Sequence, residues 1–170
     1  MKKLIFAFLG FLIFSPLFAQ AASGTSAVAA EEYTLAFFKK FNETQKKLTY
    51  MNKPGSLEKM GTETVKGNIS GTIFYDVKLK GFGAEVILRY TNYCDEAGWV
   101  FDGEIITRSS MMQNGTFEGS IKIEGIAPGQ VIYDEVLLKK GQPGSGNYLV
   151  TTPDFTKVPV DYRVYLKSKE

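Results

Sequence analysis

Cys94, in the segment Asn92-Tyr93-Cys94-Asp95-Glu96-Ala97-Gly98-Trp99, is the only thiol of a 170-residue chain that has no histidine. Without histidine there is no Ser-His-Asp or Cys-His machinery and no imidazole ligand for a metal. A nucleophilic thiolate needs a nearby cation or a helix N-terminus to lower its pKa. The two residues after Cys94 are acidic, so the sequence reads it as an inert, half-buried thiol. One cysteine also excludes an intrachain disulfide and any CxxC site.

Carboxylates are the remaining candidates for acid–base chemistry. Asp95, Glu96, Asp102, Glu104, Asp134 and Glu135 are the acidic residues to weigh. Asp134 and Glu135 are adjacent on a strand and point to opposite faces. Asp102 and Glu104 share a face at a spacing of about 7 Å, which a glycosidase pair could use. They lie opposite Trp99, Phe101 and Ile105, however, which assigns them to the solvent side. Asp95-Glu96 lacks the repeated oxygen ligands of a calcium loop. Met111-Met112 has no further soft ligand nearby with which to hold copper. The expectation is therefore a protein that is not an enzyme and carries no metal or cofactor.

Aromatic residues offer a better case for binding. Tyr90, Tyr93 and Trp99 bracket one turn, and a gathering of rings with polar handles at a barrel mouth suits a ligand or partner site. They are the expected ligand-binding residues. A second set, Tyr33, Phe37 and Phe41, recurs every four residues, with Leu48 two turns on. That stripe either packs on the protein's own sheet or docks on a partner.

These residues need elements to position them. Residues 1–21 have the layout of a secretory signal peptide: Met1-Lys2-Lys3, an apolar run from Leu4 to Phe14, Ser15-Pro16, and Ala19-Gln20-Ala21. The expected location is outside a bacterial cytoplasm, periplasmic or secreted, with no transmembrane helix in the mature chain. Removing residues 1–21 takes away Lys2 and Lys3, so 20 basic residues become 18, equal to the 18 acidic ones. A neutral chain with mixed signs carries no footprint for nucleic acid. Residues 22–30 are small and featureless and read as a disordered leader. Residues 31–50 read as an amphipathic helix, with Glu31-Glu32 first and lysines later.

From Gly61 the apolar period falls from about 3.6 to 2. Val65, Ile69, Ile73, Tyr75, Val77 and Leu79 alternate with Lys66, Asn68, Thr72, Asp76, Lys78 and Lys80. Phe117, Ile121 and Ile123 repeat the design, as do Val158, Val160, Tyr162, Val164 and Leu166. Turn residues such as Gly81-Phe82-Gly83 and Asn114-Gly115 cut the chain at short intervals. The pattern predicts strands over 64–80, 84–92, 99–108, 115–125, 130–139, 146–151 and 158–167. Short connections make neighbours antiparallel. The domain over 61–168 should be an antiparallel meander of seven or eight strands, forming a barrel or half-barrel behind the one N-terminal helix. Gly67 and Gly71, echoed by Gly115 and Gly119 at a step of 48 residues, are where the sheet should coil.

The expected function is that of an exported, non-catalytic binding protein holding a small apolar ligand or lipid. The alternatives are an envelope interaction module that binds another protein, and a small outer-membrane barrel.

Overall fold

The computed structural model describes residues 16–49, 60–110, 114–139 and 144–168, with side chains from Gly24 onward and without that of Asn114. Residues 1–15 of the expected signal peptide, the expected Asn52–Ser56 loop, Met111-Met112 and the turn at 141–143 lie outside the described residues.

Helix α1 (Pro16–Gln45) is followed by eight strands. They are β1 (Gly61–Lys66), β2 (Ser70–Lys80), β3 (Gly83–Cys94), β4 (Trp99–Ser110), β5 (Asn114–Gly125), β6 (Gly129–Lys139), β7 (Ser145–Thr151) and β8 (Val158–Asp161). A single turn of helix, α2 (Val164–Lys167), comes last. All eight strands form one antiparallel sheet in chain order, with β1 and β8 at its two edges. It is a meander and an open half-barrel, as the alternation and short turns require. Among the described residues no helix is long and apolar enough to cross a membrane.

The register arranges the inner face in rows. The first row crosses all eight strands through Val65, Ile73, Tyr90, Gly103, Ile121, Val131, Val150 and Val158. The second crosses through Glu63, Tyr75, Leu88, Ile105, Gly119, Tyr133, Tyr148 and Val160. A third holds Val77, Val86, Thr107, Phe117 and Val136. The fourth, at the end of the sheet, holds Leu79, Ala84, Ser109, Gly115 and Leu138.

Three expectations are corrected here. The strand expected over 64–80 is two strands, because Gly67-Asn68-Ile69 turns the chain back on itself. The Gly67 N–H donates to the Gly71 carbonyl, and the Ile69 N–H to the Cys94 carbonyl at 2.9 Å. Ile69 is consequently exposed rather than in the core. The strand expected over 158–167 stops at Asp161. Arg163 folds onto the Asp161 carboxylate through both its backbone N–H and its guanidinium, and α2 follows. Residues 22–30, expected to be without structure, are helical. Alanines dominate that stretch and favour helix, and Ala30 is fully buried, its carbonyl accepting the Thr34 hydroxyl.

Of the glycines expected to coil the sheet, Gly67 lies in the β1–β2 turn, while Gly119 does sit within a strand, with Gly103, which the spacing does not mark, on the neighbouring strand. Gly103 and Gly119 occupy the middle of the first two rows with φ of +133° and +118°. A Cβ on Gly119 would lie 2.1 Å from the Glu104 carbonyl oxygen. No other residue type fits there, so the strands can approach and bend at that point.

Helix α1 packs against β7, β8 and α2 and drives aromatic rings into the half-barrel. Its buried face runs through Thr34, Phe37, Phe38, Phe41 and Thr44, with Leu48 buried just beyond its end. Phe37 stacks on Phe41 at 5.2 Å and reaches Phe101 at 6.2 Å. Phe38 meets Tyr148 at 4.8 Å and Tyr165 at 5.1 Å. The stripe of Tyr33, Phe37 and Phe41 thus packs on the protein's own sheet. The face is rotated towards Phe38, leaving Tyr33 half-buried with its hydroxyl on the Ala127 carbonyl at 3.0 Å.

Candidate functional site

The two ends of the half-barrel differ. At one end lie the turns 67–69, 94–99 and 125–129, and α1 closes it. Tyr90, Tyr93 and Trp99 belong here, but they do not form an open mouth. Tyr90 and Tyr93 are enclosed, at 1% and 0% exposure, with their rings 5.8 Å apart. The Tyr90 hydroxyl shares a 2.7 Å hydrogen bond with Thr44 of α1, and burial holds its pKa well above the ordinary phenol value. Trp99 is half-buried, stacked 6.0 Å from Phe101. Only Trp99 of the three lines the cleft at this end, which measures about 250 Å³ and also takes in Lys40, Lys47, Asp95 and Glu96.

That cleft is a seam of ion pairs. Lys47 Nζ lies 2.6 Å from Asp95 Oδ1, and Lys40 Nζ 2.9 Å from Glu96 Oε2. Asp95 also accepts the Asn68 N–H at 2.9 Å and the Tyr93 hydroxyl. One carboxylate therefore ties the turn after α1, the β1–β2 turn and the end of β3. Burial pulls its pKa up, but Lys47, Tyr93 and the Asn68 N–H outweigh that and hold it below the ordinary carboxylate range. The sign follows directly. A depressed folded pKa adds stability that is complete above the unfolded carboxylate value and is lost as pH falls through the folded one. Asp95→Asn should cost about 2 kcal/mol at pH 7. The loss should shrink as pH drops below about 4, as measured by urea unfolding across pH.

Cys94, Asp102 and Glu104 are likewise engaged in structure, whereas Asp134 and Glu135 are exposed. Cys94 is buried, and its thiol donates to the Glu96 carbonyl at 3.3 Å. Asp102 accepts the Asn92 N–H at the bulge of β3, where Asn92 takes a φ of +45°. Glu104 pairs with Arg89 across the outer face at 2.5 Å. Asp102 and Glu104 share that outer face as the alternation predicts, each committed to its own partner.

The opposite end is where the space lies. An apolar cavity of about 460 Å³ opens between the second and third rows of the sheet, the Phe41 turn of α1, and α2. Val86, Leu88, Ile105, Phe117 and Val136 supply much of its wall, and Tyr75, Tyr133, Tyr148, Tyr162 and Tyr165 bring phenol rings. The row beyond it explains the opening. Ala84, Ser109 and Gly115 are too small to close the end of the sheet, so among the described residues of this row only Leu79 and Leu138 are large. Leu79, Leu138 and Leu166 are exposed, and Phe82, at the tip of the β2–β3 turn, is 83% exposed. The apolar cavity thus runs out to the exposed Leu138 and Leu166.

Sequence reasoning missed this cavity. It placed binding at the aromatic cluster, and a cluster of large residues is what fills space. The usable signal was the reverse: inward alternation that ends in Ala84, Ser109 and Gly115 while a helix occupies only the other end.

No protein-family model matches the chain, and neither a curated protein nor a solved structure is similar to it.

Proposed function

We propose that the protein is an exported, non-catalytic binding protein of a bacterial envelope, holding a small apolar molecule or lipid in the open end of its half-barrel. The observation that carries this reading is the 460 Å³ apolar cavity with the exposed Leu138 and Leu166 at its lip. Cavities of about 300–1,000 Å³ with mainly apolar walls and a few polar groups suit small ligands. A cluster of exposed large apolar side chains around an opening marks a place where something apolar is received. The non-catalytic part is supported by Cys94, Asp95, Asp102 and Glu104, each held in a structural bond. Export is supported by the charged start, apolar run and Ala19-Gln20-Ala21 of the sequence.

The outer face of the sheet favours this reading over a membrane barrel. It carries ion pairs such as Arg89 with Glu104, Arg108 with Glu118, and Lys122 with Glu124, whereas a lipid-facing wall is apolar.

Native mass spectrometry of the protein purified from its own envelope without detergent tests the proposal. The expected spectrum shows a reproducible mass excess of lipid size that disappears on organic extraction. A bare mass, with no uptake when lipid extract is added back, would reject the carrier in favour of an interaction module.

A further inference from the structure

The walls of the cavity differ in chemistry. One is aliphatic, from Val86, Leu88 and Ile105 of β3 and β4. The other is built from tyrosines: Tyr133 on β6, Tyr148 on β7 and Tyr162 after β8. Tyr133 and Tyr148 meet edge to face at 5.1 Å. The hydroxyls of Tyr133, Tyr148 and Tyr162 make no hydrogen bond to another described residue, yet none is a sealed, unsatisfied polar atom. They are open to the cavity. Burial raises the pKa of Tyr133 and Tyr148 far above neutrality, so both remain protonated donors.

Among the described residues no lysine, arginine or carboxylate lines this space; Gln45 and Thr107 are its other polar groups. The lysines of β2 that lie near the lip are already engaged. Lys78 pairs with Asp76 at 2.5 Å, and Lys80 with Glu85 at 2.7 Å. An ionised head group entering the cavity would lose its hydration and meet no cation. A hydroxyl or carbonyl oxygen would meet waiting phenol donors.

Resting on the binding function proposed above, we infer that the cavity selects a neutral apolar ligand carrying hydroxyl or carbonyl oxygens, recognised by Tyr133, Tyr148 and Tyr162, and discriminates against anionic amphiphiles. The ligand's oxygen accepts from the tyrosine wall while its hydrocarbon lies along the aliphatic wall.

The test uses three ligands of one chain length, titrated at pH 8 by displacement of a fluorescent apolar probe: a primary alcohol, a methyl ester and a fatty-acid carboxylate. The alcohol and ester should bind at least tenfold more tightly than the carboxylate. Tyr133→Phe and Tyr148→Phe, which keep the ring and its packing, should each weaken alcohol and ester about fivefold and leave the carboxylate unchanged. Equal binding of all three on the wild-type protein would overturn the selectivity while sustaining the carrier. Absence of binding by all three, and by the probe, would overturn the carrier itself. The wild-type ranking decides the matter even if a variant folds poorly.

Discussion

Phe38→Ala is expected to cost about 3–5 kcal/mol of folding free energy, read as a shift of the urea midpoint. Phe38 is 1% exposed and joins three separate pieces of the fold. Its ring touches Tyr133 of β6 at 6.5 Å, Tyr148 of β7 at 4.8 Å and Tyr165 of α2 at 5.1 Å. Removing it leaves a void that these rings cannot close without moving, because they also form the cavity's tyrosine wall. Phe82→Ala, at a fully solvated turn, should change stability by less than about 0.5 kcal/mol and serves as the control. If Phe38→Ala cost no more than Phe82→Ala, α1 would not be packed in the half-barrel in solution. The stripe of Phe37, Phe38 and Phe41 would then be free for a partner.

The second large effect concerns ligand rather than fold. Val86→Trp should abolish binding, lowering affinity at least a hundredfold, with little change in melting temperature. Val86 is half-buried in the third row, between Val77 and Thr107, and its side chain faces open volume. Tryptophan is well accepted in strands and would occupy the space that a ligand needs. The same substitution at Ile73 or Ile121, both fully buried, would overpack the core and unfold the protein instead. The contrast follows from the rows: α1 packs over the first, whereas the third borders the cavity among the described residues.

Much of this architecture was legible in the residues. The shift of apolar period at Gly61, the Gly81-Phe82 turn and the short connections specify an antiparallel meander, because alternation fixes a buried face and a two-residue turn fixes a neighbour. Asn114-Gly115, expected as a turn, instead opens β5. The helix stripe was legible for the same reason, although four-residue spacing drew attention to Tyr33 when Phe38 is the more deeply buried. What alternation cannot report is where a strand ends. Val65, Ile69 and Ile73 keep an even rhythm straight through the Gly67–Ile69 turn, although the reversal leaves Ile69 exposed and Ile73 buried. Val158 to Leu166 keeps the rhythm past Asp161, although Arg163 has already turned the chain.

The repeated Gly-x-x-x-Gly-x-Ile motif has a similar limit. Gly67–Ile73 spans a turn and the start of β2, whereas Gly115–Ile121 runs inside β5. Only Ile73 and Ile121 come to equivalent places, both in the first row. The cavity was illegible for a different reason. Its existence depends on how far α1 reaches along the half-barrel, a tertiary quantity that no local pattern encodes. The Tyr90–Trp99 cluster offered aromatic surface, and the fold uses that surface as core.

The central claim is that the open end of the half-barrel binds hydrocarbon, and a chain-length series measures this most directly. Isothermal titration of homologous primary alcohols should show affinity rising about fourfold per added methylene, the equivalent of about 0.8 kcal/mol each. The rise should end once the chain outgrows the cavity, and Val86→Trp should remove it altogether. Affinity independent of chain length, or the same slope in wild type and Val86→Trp, would place the hydrocarbon elsewhere and contradict the account.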